Sequence, residues 1–357
     1  MDTSNTEAFA GQVITDISAT FSGVMTNIGH KLGLYKAMAG AGAMTSQQLA
    51  EKTGTHERYV REWLNNQTAG GYVLHDSASR TYTLPDAHVP VLADEDSPVF
   101  LVPALEVAAS LWLDEEQISN VFRSGEGIAW GEHHHRLFCG SESLFRPGYK
   151  AHLTGSWIRS LDGVEEKLRV GAKVADVGCG HGASTIVMAQ EFPESVFYGF
   201  DNHEESIEIA RQRAAAAGVT GNVHFSVVNA VSYRESDFDL ICFMDCLHDM
   251  GDPVGAAQHA RRSLKDDGTV LLVEPAAADA VNDNINPVSR LYYAASTAVC
   301  TPCSRSQEVG LALGAQAGER RLSEVMQEAG FNALRRATET PFNLVLEARP
   351  GWQSTCT

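Results

Sequence analysis

The chain has 357 residues and, at about 150 residues per domain, is long enough for two or three domains. Hydrophobic residues make up 44% of the chain and charged residues 20%, which is ordinary for a globular protein and argues against disorder, collagen or coiled coil for most of it. The formal charge of −18 disfavours nucleic acids and anionic membranes as partners.

The sequence also bears on the compartment. Met1–Asn5 has neither a basic region nor an apolar core, so we expect no secretory signal. The longest apolar runs, such as residues 240–244, are far too short to span a bilayer. Seven cysteines, an odd number scattered over a long chain, favour a reducing cytoplasm over a disulfide framework.

Residues 20–95 predict three short helices followed by a hairpin, which is a winged-helix pattern. The first helix is predicted over 23–39, Thr45–Gln48 has the form of a capping box for the second, and Gly70-Gly71 ends the third. Four basic and seven acidic side chains give residues 45–95 a net charge of −3, whereas a DNA-reading domain needs a basic face. We therefore interpret residues 1–97 as a winged-helix-like dimerisation domain, with a substrate lid as the other reading.

Residues 98–165 are predicted to form a helical linker region. Its stretch Val99–Leu113 carries a single charge at Glu106, and a helix this apolar should be buried. The sequence allows it to pack either within the chain or across a dimer.

From Lys173 onward, strands and helices alternate, which predicts a parallel sheet with helices on both faces. Gly178, Gly180 and Gly182 lie where the first strand turns into a helix, so that a ligand can approach the backbone closely. Asp201 ends the next strand, where a carboxylate can bind both hydroxyls of a ribose. The glycine turn also fits a relaxed NAD fingerprint. Few residues after the glycine turn could hold the pyrophosphate of NAD, and the acidic Asp176 lies just before the turn. Both features favour a nucleoside ligand other than NAD.

Asp176–Gly182 resembles motif I of class I methyltransferases dependent on S-adenosylmethionine (SAM), and the chain follows that family's order of motifs as far as Glu274-Pro275. Residues 333–347 resemble its terminal antiparallel hairpin, so the resemblance covers residues 173–350. It implies an α/β fold with a Rossmann-like sheet, a SAM-binding domain at 166–350 and an N-terminal winged-helix domain. The upstream winged-helix region resembles that of small-molecule methyltransferases that dimerise through it. Asn284–Pro287, Cys300–Cys303 and Gly314–Glu319 resemble a bacterial subgroup of winged-helix methyltransferases.

The resemblance also implies cofactor-binding residues. Gly178 and Gly180 would line the methionine part of SAM, Asp201 would hold the ribose, and Asp245 would lie near the methionine amino group. Asn229, where the family usually has Asp, would neighbour the adenine. The full predicted set is Asp176, Gly178, Gly180, Gly182, Asp201, Asn229, Ala230 and Asp245.

Leu247–Met250 resembles the stretch of plant-type O-methyltransferases that carries the catalytic histidine. The resemblance implies that His248 is the general base and that Glu274 orients it, because a histidine beside a carboxylate can titrate near neutral pH. The alternative is that His248 caps the following helix or bonds to the backbone.

Residues 276–318 are predicted to form a lid over the methyl acceptor, with Tyr292, Tyr293 and Gln316 in its pocket and help from residues 133–149. The alternatives for this insertion are a surface elaboration or a dimer contact. The Cys300/Cys303 pair is predicted to be structural, and we expect no metal. The run His133–His135 is predicted to be structural or at the surface, and the alternative is that one of these histidines faces the acceptor.

The sequence thus predicts a SAM-dependent methyltransferase that acts on a small thiol or hydroxyl compound and releases S-adenosylhomocysteine (SAH). An NAD-dependent oxidoreductase and a non-catalytic, SAM-sensing, DNA-binding regulator are the two alternatives.

Overall fold

The computed structural model describes residues 3–351; Met1, Asp2 and residues 352–357, with Cys356, lie outside the described part. It contains two compact units. One holds the chain up to Ser110 together with His135–Gly148, and the other holds Leu111–His134 and the chain from Tyr149 onward. The domain boundaries predicted at 97 and 165 stay a prediction.

The structure assigns the following helices: α1 Thr3–Lys31, α2 Leu34–Met38, α3 Ser46–Thr53, α4 Glu57–Ala69, α5 Val89–Leu92, α6 Ala104–Leu113, α7 Glu115–Ser124, α8 Arg136–Gly148, α9 Val164–Val170, α10 Ala183–Glu191, α11 Glu204–Ala217, α12 Pro253–Ser263, α13 Pro287–Ala295, α14 Thr301–Arg305 and α15 Gly318–Glu328. It assigns the following strands: β1 Leu74–Asp76, β2 Thr81–Thr83, β3 Lys173–Val177, β4 Val196–Asp201, β5 Val223–Val227, β6 Phe238–Met244, β7 Leu264–Pro275, β8 Ala333–Glu339 and β9 Asn343–Arg349. Two π-helices, Tyr149–Trp157 and Ser296–Cys300, complete the regular structure discussed below.

The winged-helix prediction for the first unit is confirmed. The Thr45 hydroxyl accepts the Gln48 backbone N–H and the Gln48 side chain accepts the Thr45 N–H, so the predicted capping box starts α3. β1 and β2 form the antiparallel wing. On α4, where a DNA-reading helix would place free cations, Arg58 and Arg61 are paired with glutamates of the same helix at 2.5 and 2.6 Å.

Two helices of this region differ from the prediction. The helix predicted over 23–39 is in fact α1 followed by α2, because Gly33 adopts a left-handed φ of 68° between them, and α1 already begins at Thr3. The helix predicted from Val99 begins only at Ala104, and its Trp112 side chain is 67% exposed. Most of this helix is half-buried within the chain while its C-terminal end is exposed, and packing across a dimer stays a prediction.

The second unit is built on a seven-stranded sheet with the order β5-β4-β3-β6-β7-β9-β8. Strands β3 to β7 are parallel, and β9 runs antiparallel to both β7 and β8. The predicted Rossmann-like sheet with a terminal antiparallel hairpin is confirmed. The strand order reverses at β3, which lies between β4 and β6, and ligands of such sheets bind beyond the carboxyl ends of the strands at this point.

Central strands of this sheet are apolar on both faces, as expected for a sheet covered by helices. Val174, Leu240 and Leu271 are completely buried. Within residues 3–351, no helix combines the length and the apolar character that crossing a membrane requires.

Candidate active site

The glycine turn joins β3 to α10, and its three glycines have positive φ angles of 76°, 51° and 75°. A Cβ on Gly178 would lie 2.8 Å from the Cys246 sulfur, and one on Gly182 would lie 2.6 Å from the Phe225 ring. A Cβ on Gly180 would meet no other atom within 4 Å. The outer glycines are therefore required by packing, whereas the space beside Gly180 is open to a ligand.

Asp176 lies in β3 just before this turn and is buried. Its Oδ2 accepts hydrogen bonds from the Ser184 and Thr185 hydroxyls, both at 2.6 Å. Its Oδ1 is buried and has no partner among the residues that the structure describes. Burial raises the pKa of this carboxyl. An unsatisfied buried acceptor of this kind fits a site that takes a hydrogen-bond donor or a cation.

Asp201 is the last residue of β4. Its Oδ2 accepts the Gly180 N–H and its Oδ1 accepts the His203 N–H, both at 2.9 Å. Because each carboxylate oxygen can accept more than one hydrogen bond, both can still bind a ribose hydroxyl. The same carboxylate therefore fixes the glycine turn and faces the position where a nucleoside is expected.

Asn229 and Ala230 follow β5. The Asn229 side chain is exposed and accepts the Val231 N–H at 3.2 Å, while Ala230 is half-buried. Val228, just before them, donates its N–H to the Asp201 carbonyl at 2.8 Å. These two residues therefore lie near the Asp201 turn, but no hydrogen bond joins the Asn229 side chain to it among the described contacts.

Asp245 follows β6 with a left-handed φ of 51°, which is unusual outside glycine and typical of functional positions. Asn343 donates its side-chain N–H to both Asp245 oxygens at 2.9 and 3.2 Å, and the Tyr149 hydroxyl also bonds to this carboxyl. Burial, reinforced by the nearby Glu274 charge, raises the pKa of Asp245 to about 8. A bound cation would favour its ionised form.

His248 and Glu274 form a buried pair beside Asp245. The His248 Nδ1 lies 2.6 Å from one Glu274 oxygen, and the other oxygen accepts the Leu247 N–H at 3.0 Å. Burial alone would lower the pKa of His248, but the Glu274 carboxylate and the Cys300 side chain, which is hydrogen-bonded to the imidazole, outweigh burial and raise the pKa well above its usual value. The following helix, α12, is capped by Asp252 instead, so the alternative that His248 caps it is wrong.

The insertion at 276–318 is bonded closely to the 247–251 segment that carries His248. The Ser304 hydroxyl donates to the Met250 carbonyl at 2.8 Å, and the Gly314 N–H donates to the His248 carbonyl at 3.1 Å. The Gln307 side chain accepts the Gly251 N–H at 3.0 Å and donates to the Asp249 carbonyl at 3.2 Å. Beyond any role as a lid, the insertion fixes the segment that presents the imidazole.

The predicted acceptor-pocket residues differ in their surroundings. The Tyr292 hydroxyl donates to the Phe342 carbonyl at 2.9 Å, so it is engaged within the fold. Tyr293 is half-buried. The Gln316 amide donates to the Ala315 carbonyl at 3.2 Å, and its buried oxygen has no partner within residues 3–351. Of the three, Gln316 is therefore the residue with a buried acceptor oxygen that has no partner among the described residues.

Sequence reasoning missed three residues of this site. Tyr149 and Asn343 contact Asp245, and Cys246 lies against Gly178. None was singled out as a site residue, although Tyr149 ends the segment 133–149 that was predicted to help the lid. The Asn343 contact exists only because β9 pairs with β7 and places Asn343 opposite Pro275. Cys300 and Cys303 are free, buried thiols, and the described residues include no cluster of three or more metal-ligating side chains.

The class I methyltransferase fold is defined by a parallel sheet that ends in an antiparallel pair of strands. A glycine turn follows its central strand, and a carboxylate ends the strand that comes next in the chain. Comparison with protein families agrees. Residues 168–330 match the family described as a methyltransferase domain, and residues 20–94 match an Rv2258c-like winged HTH domain. The chain therefore contains a methyltransferase domain preceded by an Rv2258c-like winged HTH domain, as the sequence predicted.

Individual relatives cover part of the chain. It is 28% identical over 169 residues to 27-O-demethylrifamycin SV methyltransferase of Amycolatopsis mediterranei, which is 45% of this chain and 60% of that one. It is 34% identical over 107 residues to ubiquinone biosynthesis O-methyltransferase of Haemophilus ducreyi, which is 29% of this chain and 44% of that one. The chain thus spans about half the length of these curated relatives.

Solved structures share the fold over nearly the whole chain. Mitomycin 7-O-methyltransferase has a TM-score of 0.68 at 18% identity, covering 97% of this chain and 99% of that one. Human N-acetylserotonin methyltransferase, in complex with SAM, has a TM-score of 0.65 at 16% identity, covering 96% and 98%. A methyltransferase of calicheamicin biosynthesis, in its SAH-bound form, has 0.66 at 17%, covering 98% and 99%. The SAM prediction is confirmed for the family, and the NAD-dependent alternative finds no support.

Proposed function

We propose that the chain transfers the methyl group of SAM to a hydroxyl group of a small molecule and releases SAH. The observation that carries this proposal is the buried His248–Glu274 pair at the carboxyl edge of the sheet. A phenolic hydroxyl, with a pKa of about 10, needs a base more than a thiol, with a pKa of about 8.5. Relatives named as ubiquinone biosynthesis O-methyltransferases support the same acceptor class.

The residues around the glycine turn fit SAM. Asp201 would hold the ribose, the space beside Gly180 would admit the methionine part, and Asp176 and Asp245 offer buried carboxyl oxygens to its cationic groups. SAM supplies a methyl group bonded to a positively charged sulfur. Holding the acceptor oxygen in line with that methyl group can by itself contribute about 7–11 kcal/mol in model systems.

His248 would remove the proton of the acceptor hydroxyl at its Nε2, while Nδ1 stays bonded to Glu274. The acceptor O–H bond breaks and an N–H bond forms on the imidazole. The oxygen then bonds to the methyl carbon as the carbon–sulfur bond breaks, and the proton leaves His248 for solvent. Glu274 stabilises the imidazolium formed in this step.

The test is transfer of labelled methyl from SAM to a panel of phenols and small thiols. Labelled ether supports the proposal. Labelled thioether alone would replace a hydroxyl acceptor by a thiol and reduce the part played by His248. SAM binding without turnover, together with a mobility shift of DNA, would instead support the regulator alternative.

Binding of SAH should release a proton and tighten as the pH rises towards about 8, the pKa of Asp245 in the free protein. Below this pH the carboxyl is largely neutral, and contact with the ligand's ammonium group requires its ionised form. Well below the pKa, the affinity should rise about ten-fold per pH unit. Calorimetry in two buffers of different ionisation enthalpy measures the proton. Asp245→Asn should bind without that proton release, and a pH-independent wild-type affinity would contradict the assignment.

We also propose that the protein is located in a reducing cytoplasm, which is consistent with the six free cysteines described.

We propose in addition that the protein is a homodimer formed through α1. Five apolar side chains of α1 are exposed: Ile14, Ile17, Phe21, Val24 and Ile28. Their spacings alternate between three and four residues, which is the pattern by which two helices pack along a common seam. Sedimentation should give a dimer for the wild type and a monomer for Phe21→Glu. Exposed Thr20→Glu is the matched control, and a monomeric wild type would contradict the proposal.

A further inference from the structure

Asp114 and His133 form a second buried carboxylate–imidazole pair, separate from Glu274 and His248. The His133 Nδ1 lies 3.0 Å from the Asp114 Oδ2, which also accepts the His134 backbone N–H at 3.0 Å. The His133 side chain is fully shielded from solvent. A carboxylate oxygen accepts, so the hydrogen bond to Asp114 places a proton on Nδ1. In the neutral imidazole with this tautomer, Nε2 is an acceptor.

The Nε2 atom of His133 is buried and has no hydrogen-bond partner in the described part of the chain. Leaving a buried polar atom unsatisfied costs about 1–3 kcal/mol. A bound hydroxyl or N–H group would remove this cost. In the tautomer that Asp114 favours, the buried Nε2 can therefore accept a hydrogen bond from a ligand, because the described part of the chain supplies no donor to it.

Residues 125–133, here called the strap, carry His133 and lie against the insertion. The Ile128 N–H donates to the Pro302 carbonyl at 3.0 Å, and the Arg305 guanidinium donates to the Gly125 carbonyl at 2.8 Å. A Cβ on Gly127 would lie 2.0 Å from the Ser306 nitrogen, so only glycine allows this approach. The strap is thus attached to α14 and the residue after it, next to the Ser304 and Gln307 side chains that hold the His248 segment.

The other end of the strap lies against His203, which follows the proposed ribose-binding residue Asp201. A Cβ on Gly131 would lie 3.2 Å from the His203 ring, and the His203 N–H is one of the two that hold Asp201. The strap therefore extends from the Asp201 turn to the insertion. His133 follows two residues after Gly131 and so lies at the end of the strap that contacts the Asp201 turn.

We propose that His133 is a binding residue for the methyl acceptor, whose Nε2 accepts a hydrogen bond from a second hydroxyl or N–H group of that molecule. The inference rests on the proposed function, in which His248 takes the proton of the reacting hydroxyl. The favoured acceptor is consequently a compound with two donor groups, such as a dihydroxy aromatic. Sites built to bond a substrate donor discriminate strongly against analogues that lack it.

The test compares phenol with catechol, resorcinol and hydroquinone as acceptors for the full-length chain. The wild type should prefer at least one dihydroxybenzene over phenol by about ten-fold or more in kcat/KM. His133→Phe should lose this preference, while the Kd of SAH by calorimetry stays within about two-fold. Exposed His135→Phe is the matched control and should behave as wild type. The position of the favoured second hydroxyl would report the spacing of the two imidazoles.

Each other outcome has a defined meaning. The inference is overturned if the wild type shows no preference, or if His133→Phe retains the wild-type preference. It is also overturned if His133→Phe binds SAH about ten-fold more weakly, because His133 would then serve the cofactor. If no phenol is methylated by the wild type, the proposed function fails and the inference falls with it. If His133→Phe does not fold, Asp114→Asn decides, because it keeps the imidazole but removes the charge that orients it. Unchanged discrimination in that variant also overturns the inference.

Discussion

Replacing His248 by Asn should lower the turnover of a phenolic acceptor by about 10²–10⁴-fold, the usual contribution of a positioned general base. The Kd of SAH should change little, because the imidazole is bonded to Glu274 and not to the residues that would hold the nucleoside. Single-turnover transfer of labelled methyl, with SAH affinity measured by calorimetry, separates the two effects.

The pH dependence gives this prediction a second readout. Since the pKa of His248 is raised by Glu274, kcat/KM should increase with pH through a range above the usual value for histidine. Glu274→Gln removes that charge, lowers the pKa of His248 and should move the rising limb to lower pH, with a lower plateau. Exposed His224→Asn is the control and should follow the wild-type profile. A wild-type rate in His248→Asn would show that the acceptor arrives already ionised.

Replacing Asp201 by Ala should weaken SAH binding by about 10²-fold or more, since charge-assisted hydrogen bonds are each worth about 1.5–3 kcal/mol and the ribose would lose two. The variant also frees the Gly180 and His203 N–H groups and so loosens the glycine turn itself. Calorimetric titration with SAH measures the loss.

Asp266→Ala is the matched control for this second prediction, because Asp266 is exposed in β7 away from the carboxyl edge of the sheet. It should bind SAH as tightly as the wild type. Unchanged binding by Asp201→Ala would mean that the nucleoside does not lie where the sheet's strand order places it. Titration with NAD in parallel should give no binding, and tight NAD binding would revive the dinucleotide alternative.

The methyltransferase half of the fold was predictable because its signals are local. Buried strands appear as short apolar runs, such as residues 238–244, and the glycine turn marks the one place where backbone and ligand must come close. The His248–Glu274 pair was predicted through family resemblance, and each of its members ends or follows a strand. Parallel strands bring such residues together without further information.

The rest depended on tertiary structure. Asn343 reaches Asp245 through the antiparallel pairing of β9 with β7, and Tyr149 reaches it from a π-helix. The Asp114–His133 pair joins residues 19 apart that share no motif. The first part of α1 was not predictable from burial, because its apolar side chains are exposed and do not form a face buried within the chain.

The hydrogen bonds between the insertion and residues 247–251 constrain how this protein could be re-engineered. Gln307 bonds to both sides of the turn that presents His248, and Ser304 and Gly314 add two more anchors. A grafted insertion chosen to admit a new acceptor would therefore also reposition the imidazole, so that substrate range and catalytic rate would change together. Chimeras that retain Ser304, Gln307 and Gly314 while varying residues 281–299 offer a way to alter the first property without losing the second.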